Sequence, residues 1–162
     1  MQTVRSDTGF SLVEMMMVVA IIGLMTSAVV LVMPSKDDGL KDMLHITERA
    51  FIVLSRQSVM TGRVYGARFS HDGFEPYVLT DDGWKRDTML LKPETTMWRP
   101  ITLASLEVAG GEIDVVEEES SPHVWFLPTS ETVEFKLRLG IEGQVGFLEM
   151  DAVGKTKVGL ND

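Results

Sequence analysis

The sequence predicts an α+β protein, in which a long N-terminal helix precedes an antiparallel β-sheet or β-sandwich domain. Three observations predict this class. Residues 15–33 form an uncharged apolar run, residues 40–60 show helical spacing of apolar side chains, and beyond Gly62 apolar and polar residues alternate with a period of two. Because the helices come first and the strands follow together, the pattern favours segregated α and β layers over alternating βαβ units.

The first helix is predicted from its length and its lack of charge. Residues 15–33 are 19 consecutive uncharged residues, and counting from Phe10 the segment has 24. As a helix it is about 36 Å long at roughly 1.5 Å per residue, enough to span a hydrocarbon core of about 30 Å. A cleaved secretory signal has a shorter apolar core, on the order of 7–15 residues, and then a small-residue cleavage site. We therefore predict a single transmembrane helix over residues 10–33 and a globular domain over residues 34–162.

Glu14 is the anomaly in this segment. It is the one charged residue between Phe10 and Met33. A charge at the centre of a spanning helix costs roughly 2.5–3.5 kcal/mol, and less near the end, where Glu14 lies. One interpretation is a carboxylate that favours the start of a helix through the macrodipole. The other is a carboxylate that pairs with a cation from another molecule.

The second helix and the strands are predicted from periodicity. Residues 40–60 form an amphipathic helix that we expect to pack on a sheet, with Thr61 and Gly62 closing it. Its buried stripe comprises Leu40, Met43, Leu44, Thr47, Phe51, Leu54 and Ser58. Strands are predicted at residues 65–69, 74–79, 101–108, 113–115, 123–127, 132–139, 144–150 and 157–160. Pro76 predicts an edge position for its strand, because proline cannot donate to a ladder.

Composition excludes several classes of function. The chain has 24 acidic and 15 basic residues, a formal net charge of −9, so it is a poor candidate for binding nucleic acid. It has no cysteine, which excludes disulfides, Cys nucleophiles and thiolate metal sites. His45, His71 and His123 are scattered without metal-ligand spacing, and no catalytic motif is present. We predict neither an enzyme nor a cofactor nor a metal site.

Two segments are candidates for contact with a partner. Residues 117–119 are three consecutive glutamates, which we interpret as a solvated loop or, alternatively, as a partner-facing acidic patch that includes Glu118. The least regular stretch, residues 85–100, is the first choice for a partner-contacting loop, with Trp98 as its aromatic anchor. The competing interpretation places Trp98 in the core.

At the N-terminus the sequence resembles the cleavage site of type IV pilin-like proteins. The resemblance implies that a membrane aspartyl peptidase cuts after Gly9, removing residues 1–9 as a leader peptide, and methylates the new N-terminus at Phe10. It also implies that Glu14 pairs with the N-terminal amine of a neighbouring subunit during assembly, which would make a buried carboxylate tolerable. The residues that carry the resemblance are Gly9-Phe10-Ser11-Leu12-Val13-Glu14.

Residues 50–63 and 126–139 are similar to the corresponding regions of the GspH/FimT family, although Glu131 stands where relatives often have a turn glycine. The resemblance implies an H-type minor pseudopilin of the type II secretion system, with a pseudopilin fold. Such a subunit would sit at or near the tip of the periplasmic pseudopilus and be needed for secretion of folded proteins across the outer membrane. It would be a single-pass inner-membrane protein with its C-terminal domain in the periplasm.

The partners implied by the family are other pseudopilins, the prepilin peptidase and the inner-membrane assembly platform. A rival is a minor pilin of a type IV pilus, FimT-like and DNA-binding, which would need a basic surface toward the C-terminus. Residues 107–162 carry 12 acids and 4 bases, so the sequence favours the secretion branch. A membrane-anchored periplasmic enzyme is a third hypothesis, with no motif behind it.

Overall fold

The computed structural model describes residues 11–32, 36–115 and 121–161 of the chain, except for the side chains of residues 26–32, 36, 37 and 161. The chain divides into two compact units, residues 1–35 and residues 36–162. The first unit contains helix α1 (Leu12–Val32), and the second contains a long helix, a short helix and nine strands among the described residues.

Helix α1 begins at Leu12, directly after Ser11, whose backbone carbonyl accepts hydrogen bonds from its first turn. The N–H groups of Glu14 and Met15 donate to this oxygen, at 3.0 and 3.2 Å respectively. The described side chains of α1 are apolar on every side of the helix apart from Glu14, and all of them are exposed in this unit. Within the described residues, no helix combines the length and the apolarity required of a membrane span.

Helix α2 (Lys36–Thr61) has 26 residues and starts four positions before the predicted residue 40. It ends as predicted, because Gly62 adopts a left-handed φ of 68° that a helix cannot continue, and its N–H donates to Ser58 O at 2.9 Å. The predicted stripe faces the core. Its buried members are Leu40, Leu44, Thr47, Phe51, Leu54 and Ser58, while Met43 is partly buried.

The strands form two antiparallel sheets, which confirms the predicted α+β class. The first sheet has the order β3-β2-β1-β6, and the second has the order β5-β4-β7-β8-β9. The strands of the first sheet are β1 (Tyr65–Ser70), β2 (Gly73–Thr80), β3 (Gly83–Arg86) and β6 (Val124–Phe126). Those of the second are β4 (Thr102–Val108), β5 (Gly111–Ile113), β7 (Phe135–Ile141), β8 (Gln144–Met150) and β9 (Thr156–Asn161).

The core forms where α2 packs against both sheets. Phe51 on α2 is fully buried and lies with its ring centroid 5.0 Å from that of Phe74 and 5.3 Å from that of Phe135. Phe74 belongs to the first sheet and Phe135 to the second. Phe69 and Phe126 of the first sheet complete the cluster, with centroids 5.9 and 6.1 Å from that of Phe51. One helical side chain therefore contacts aromatic rings from both sheets.

The packing of α2 on the second sheet depends on Gly146 in β8. A Cβ placed on this residue would lie 2.5 Å from Leu44 Cδ1 and 3.1 Å from Gly159 O. Leu44 is itself fully buried, so it has little room to move away. Glycine at this position lets the helix lie directly on the strand.

Two local expectations need correction. Strand β2 is not an edge strand, because β1 and β3 flank it. Pro76 is tolerated because the pairing of β2 with β3 begins at Tyr77, one residue after the proline. The Pro76 carbonyl accepts a hydrogen bond from the N–H of Asp87, which follows β3, at 2.8 Å. The irregular residues 85–100 contain the end of β3 and a short helix α3 (Pro93–Thr96).

Glu131 does not need a glycine-like conformation. In the turn before β7 the left-handed φ of 72° falls on Ser130, and Glu131 is not among the residues with positive φ. The Leu127 N–H donates to Glu131 O at 2.8 Å and closes the turn. The departure of this position from the family pattern is therefore compatible with the observed turn.

Truncating Phe51 should test the role of this ring. Phe51→Ala removes the contacts to both sheets and should lower the free energy of unfolding by about 3–5 kcal/mol. The measurement is chemical denaturation of the purified full chain in detergent. Val153→Ala, at a side chain that is 75% exposed, is the matched control and should change stability by less than about 0.5 kcal/mol. Equal effects of the two substitutions would contradict the central role of Phe51.

Candidate assembly site and partner-facing surfaces

Glu14 occupies the first turn of α1, where it is exposed and surrounded by exposed apolar side chains. Val13 is 71% exposed and Met15 is 56% exposed. No side chain in the described part of the unit forms an ion pair with the Glu14 carboxylate. Its position at the helix start suits the macrodipole, and its exposure leaves it accessible to a cation. The geometry thus accommodates both interpretations of this residue.

Three predicted site residues lie outside the described part of the chain. They are Gly9 and Phe10 of the cleavage site and Glu118 of the acidic run. Their roles stay predictions.

Trp98 is not a surface residue, so the prediction that it contacts a partner is wrong. Its side chain is fully buried, and its indole Nε1–H donates to Thr47 Oγ1 at 3.0 Å. Its ring stacks on that of Phe69, with the centroids 6.2 Å apart. The competing interpretation, a core tryptophan, is the correct one.

The residues beside Trp98 remain at the surface. Met97 is 60% exposed, and Arg99 reaches back to Asp72, with Nε and Nη2 each 2.6 Å from Oδ2. The hydrogen bond from Arg99 holds the pKa of the Asp72 carboxyl below its usual value. This pair ties the irregular segment to the turn between β1 and β2.

The outer face of the second sheet carries paired charges. Arg138 on β7 pairs with Glu107 on β4 and donates to Ser105 Oγ at 3.1 Å. Lys136 pairs with Glu149 on β8, and this hydrogen bond lowers the pKa of the Glu149 carboxyl. Two of the four bases in residues 107–162 are therefore neutralised by neighbouring carboxylates. This arrangement does not present the basic surface that a DNA-binding pilin would need.

Histidines and carboxylates do not assemble a metal centre in the described residues. Across residues 11–32, 36–115 and 121–161, no three such side chains are placed to hold an ion. His123 is a buried core residue, whose Nδ1 accepts from the Phe69 N–H at 2.9 Å and whose ring stacks on Phe69.

Sequence reasoning missed a polar tie between α2 and the edge strand β9. Thr156 Oγ1 donates to Glu48 Oε1 at 2.5 Å, and His45 Nδ1 lies 3.0 Å from Glu48 Oε2. Burial raises the pKa of the Glu48 carboxyl, but the hydrogen bonds from Thr156 and His45 outweigh it and hold that pKa below its ordinary 4.5. Thr156 is 108 residues away from Glu48, so periodicity alone could not pair them.

Comparison with known proteins shows what this chain is similar to. Residues 4–30 match the family model described as the prokaryotic N-terminal methylation motif. The chain is 25% identical to type II secretion system protein H of Klebsiella pneumoniae over 161 residues, covering 86% of this chain and 89% of the relative. Together these findings support an H-type minor pseudopilin.

The fold is also similar to solved structures. The crystal structure of the minor pseudopilin EpsH from the type II secretion system of Vibrio cholerae matches with a TM-score of 0.63 at 18% identity, covering 77% of this chain and 98% of that one. A second EpsH structure matches with a TM-score of 0.62 at 19% identity, covering 77% and 100%. The pseudopilin fold predicted from the sequence is therefore confirmed.

The Glu48 tie should make stability depend on pH. Because the pKa of Glu48 is lower in the folded state than the ordinary 4.5, its stabilisation is present above pH 4.5 and is lost as the pH falls further. Glu48→Gln should cost about 1 kcal/mol of unfolding free energy at about pH 6, and the difference from wild type should shrink toward about pH 3. Denaturant titrations of both proteins across this pH range measure the difference in unfolding free energy.

Glu94→Gln is the control for this effect, since Glu94 is exposed. A cost of Glu48→Gln that stays constant down to about pH 3 would contradict the tie.

Proposed function

We propose that this protein is an H-type minor pseudopilin of the type II secretion system, a non-enzymatic assembly subunit at or near the tip of the periplasmic pseudopilus that is needed for secretion of folded proteins across the outer membrane. One observation carries the proposal. A lone exposed carboxylate, Glu14, stands in the first turn of an otherwise apolar helix, inside the segment that matches the methylation motif. The similarity to type II secretion system protein H supports the secretion role over that of a type IV pilus subunit.

Residues 1–9 are the leader in this proposal, and the peptidase cuts between Gly9 and Phe10. The new N-terminus at Phe10 is then methylated, and residues 10–33 hold the chain in the inner membrane with residues 34–162 in the periplasm. The uncharged run of 19 residues and the methylation motif support this arrangement. The prepilin peptidase and the inner-membrane assembly platform act on the subunit before it joins its sister pseudopilins.

Glu14 guides insertion into the filament. When apolar helices of sister subunits surround it, its carboxylate loses water and needs a cation, which the N-terminal amine of a neighbouring subunit supplies. A subunit in the wrong register leaves the carboxylate unpaired in an apolar environment, at a cost of several kcal/mol. The pairing therefore selects one register among the many that apolar helices alone would allow.

Glu14→Val should separate membrane insertion from assembly. The substitution removes the charge but keeps the helix apolar, so insertion and folding should persist while incorporation into the pseudopilus falls more than about tenfold. Membrane fractionation measures insertion, and cross-linking of sheared filaments with a secretion assay measures assembly. Glu14→Asp, which keeps the charge, is the matched control and should retain more incorporation than Glu14→Val. Undiminished secretion with Glu14→Val would refute the assembly role.

The size of residue 9 should control leader processing. Gly9→Ala should permit much more cleavage than Gly9→Leu, because we expect a peptidase site that accepts glycine to have little room for a branched side chain. Mass spectrometry of the N-terminus measures both cleavage and methylation of Phe10. Equal processing of the two variants, or an N-terminus other than Phe10 in wild type, would refute the proposed cleavage site.

A further inference from the structure

The solvent face of α2 combines basic and apolar side chains in its second half. The side chains of Val53, Val59 and Met60 are 39%, 47% and 81% exposed. Met60 has the largest exposed fraction among the apolar residues described in α2. Arg49 and Arg56 are exposed on the same helix, and Arg63 is exposed two residues after it ends. We call this surface the arginine face, and its residues are Arg49, Val53, Arg56, Val59, Met60 and Arg63.

Helical geometry brings these side chains together. Arg49 and Arg56 are seven residues apart, and so are Val53 and Met60, so each pair lies on one side of the helix about two turns apart. The opposite side of α2 is held in the core by the ring of Phe51. The arginine face is therefore presented by a helix that cannot rotate without unpacking both sheets.

The charge of this face is opposite to that of the chain as a whole. Residues 49–63 contain three arginines and no acid, whereas the whole chain has a net charge of −9 and residues 107–162 have 12 acids against 4 bases. Neither Arg56 nor Arg63 forms an ion pair with any side chain that the structure describes. Arg49 lies near Glu48, but both oxygens of that carboxylate are engaged by His45 and Thr156.

The residue types favour a protein surface as the occupant. Guanidinium groups bind carboxylates in a bidentate manner, and arginine and methionine are enriched at protein interfaces. A helix that lies on a lipid surface carries lysine or arginine on its polar side and tryptophan, phenylalanine or leucine on its apolar side, and the arginine face has none of these three apolar residue types. The matching partner surface has carboxylates spaced to meet the arginines and an apolar contact for Val53 and Met60.

We propose that the arginine face docks an acidic surface of a neighbouring pseudopilin, which would fix the rotation of one periplasmic domain against the next. The proposal rests on the function proposed above, since it assumes that the chain joins a filament of sister subunits. The arginine face would make a second contact, in addition to the one made by Glu14. This second contact is made by the periplasmic domain and depends on charges that are exposed to water. Unlike a contact within apolar helices, it should weaken as the salt concentration rises.

The test places a photo-activated benzophenone side chain at Met60 of the full chain, in cells that hold its secretion system. Light should produce a cross-link to a different pseudopilin. The double variant Arg49→Glu, Arg56→Glu should lower the yield of that product about tenfold, because two attractive pairs become repulsive. Raising the salt concentration in spheroplasts should lower the wild-type yield as well.

The matched control is the double variant Lys92→Glu, Lys155→Glu, which changes the net charge by the same amount at exposed lysines outside the arginine face. It should leave the yield unchanged. Denaturation of each purified chain in detergent measures folding separately, because all four residues are exposed and only Arg49 lies near a stabilising contact, that of Glu48. The cross-link yield then reports docking and not folding.

Several outcomes would overturn the proposal. They are a cross-linked product with lipid, a cross-linked product with a second copy of this chain, and a cross-link yield that the Arg49 and Arg56 charge reversal leaves unchanged.

Secretion measured with Glu14→Val in the same cells separates the assembly hypothesis from the docking hypothesis. If Glu14→Val blocks secretion but the Met60 product is absent, the assembly role stands and the arginine face does not. If Glu14→Val secretes normally, the assembly role itself is refuted.

Discussion

The packing of Phe51 against rings of both sheets is the interaction on which the domain of residues 36–162 depends. Its ring contacts Phe74 from one sheet and Phe135 from the other, so α2 forms the shared wall of a core that neither sheet could close alone. Thr47 and Ser58 extend this arrangement with buried hydrogen bonds to Trp98 and to the Phe126 carbonyl. Because one face of α2 is buried in this core, its opposite face is held toward solvent.

The two features proposed to act in assembly, Glu14 and the arginine face, lie in contrasting environments. Glu14 is a single charge among apolar side chains, so its free energy changes greatly with its surroundings, and it can select one partner geometry. The arginine face is a cluster of charges in water, where each pair contributes little and salt screens the whole. We infer that the first sets the register of the filament and that the second orients domains whose helices are already in place.

Sequence patterns predicted the α+β class, the buried stripe of α2 and a strand at residues 132–139 because each depends on a local periodicity. Phe135, Leu137 and Leu139 alternate with charged residues, and all three are buried. The position of Trp98 was missed, because an irregular segment has no periodicity from which burial can be inferred. Its direction depends on Thr47, 51 residues earlier in the chain, and on a turn that Asp72 and Arg99 hold together.

By itself, the sequence determined the uncharged run with its single carboxylate, the acidic balance and the order of helices and strands, since these depend on residue type and spacing alone. The tertiary structure decided which polar residues of distant segments meet: Thr156 with Glu48, and Trp98 with Thr47. It also decided that the exposed Arg56 side chain forms no ion pair with the described residues, whereas Arg49 lies near Glu48, whose two carboxylate oxygens are engaged by His45 and Thr156. Pairing between distant segments depends on how α2 lies across two sheets, and no local pattern encodes that orientation.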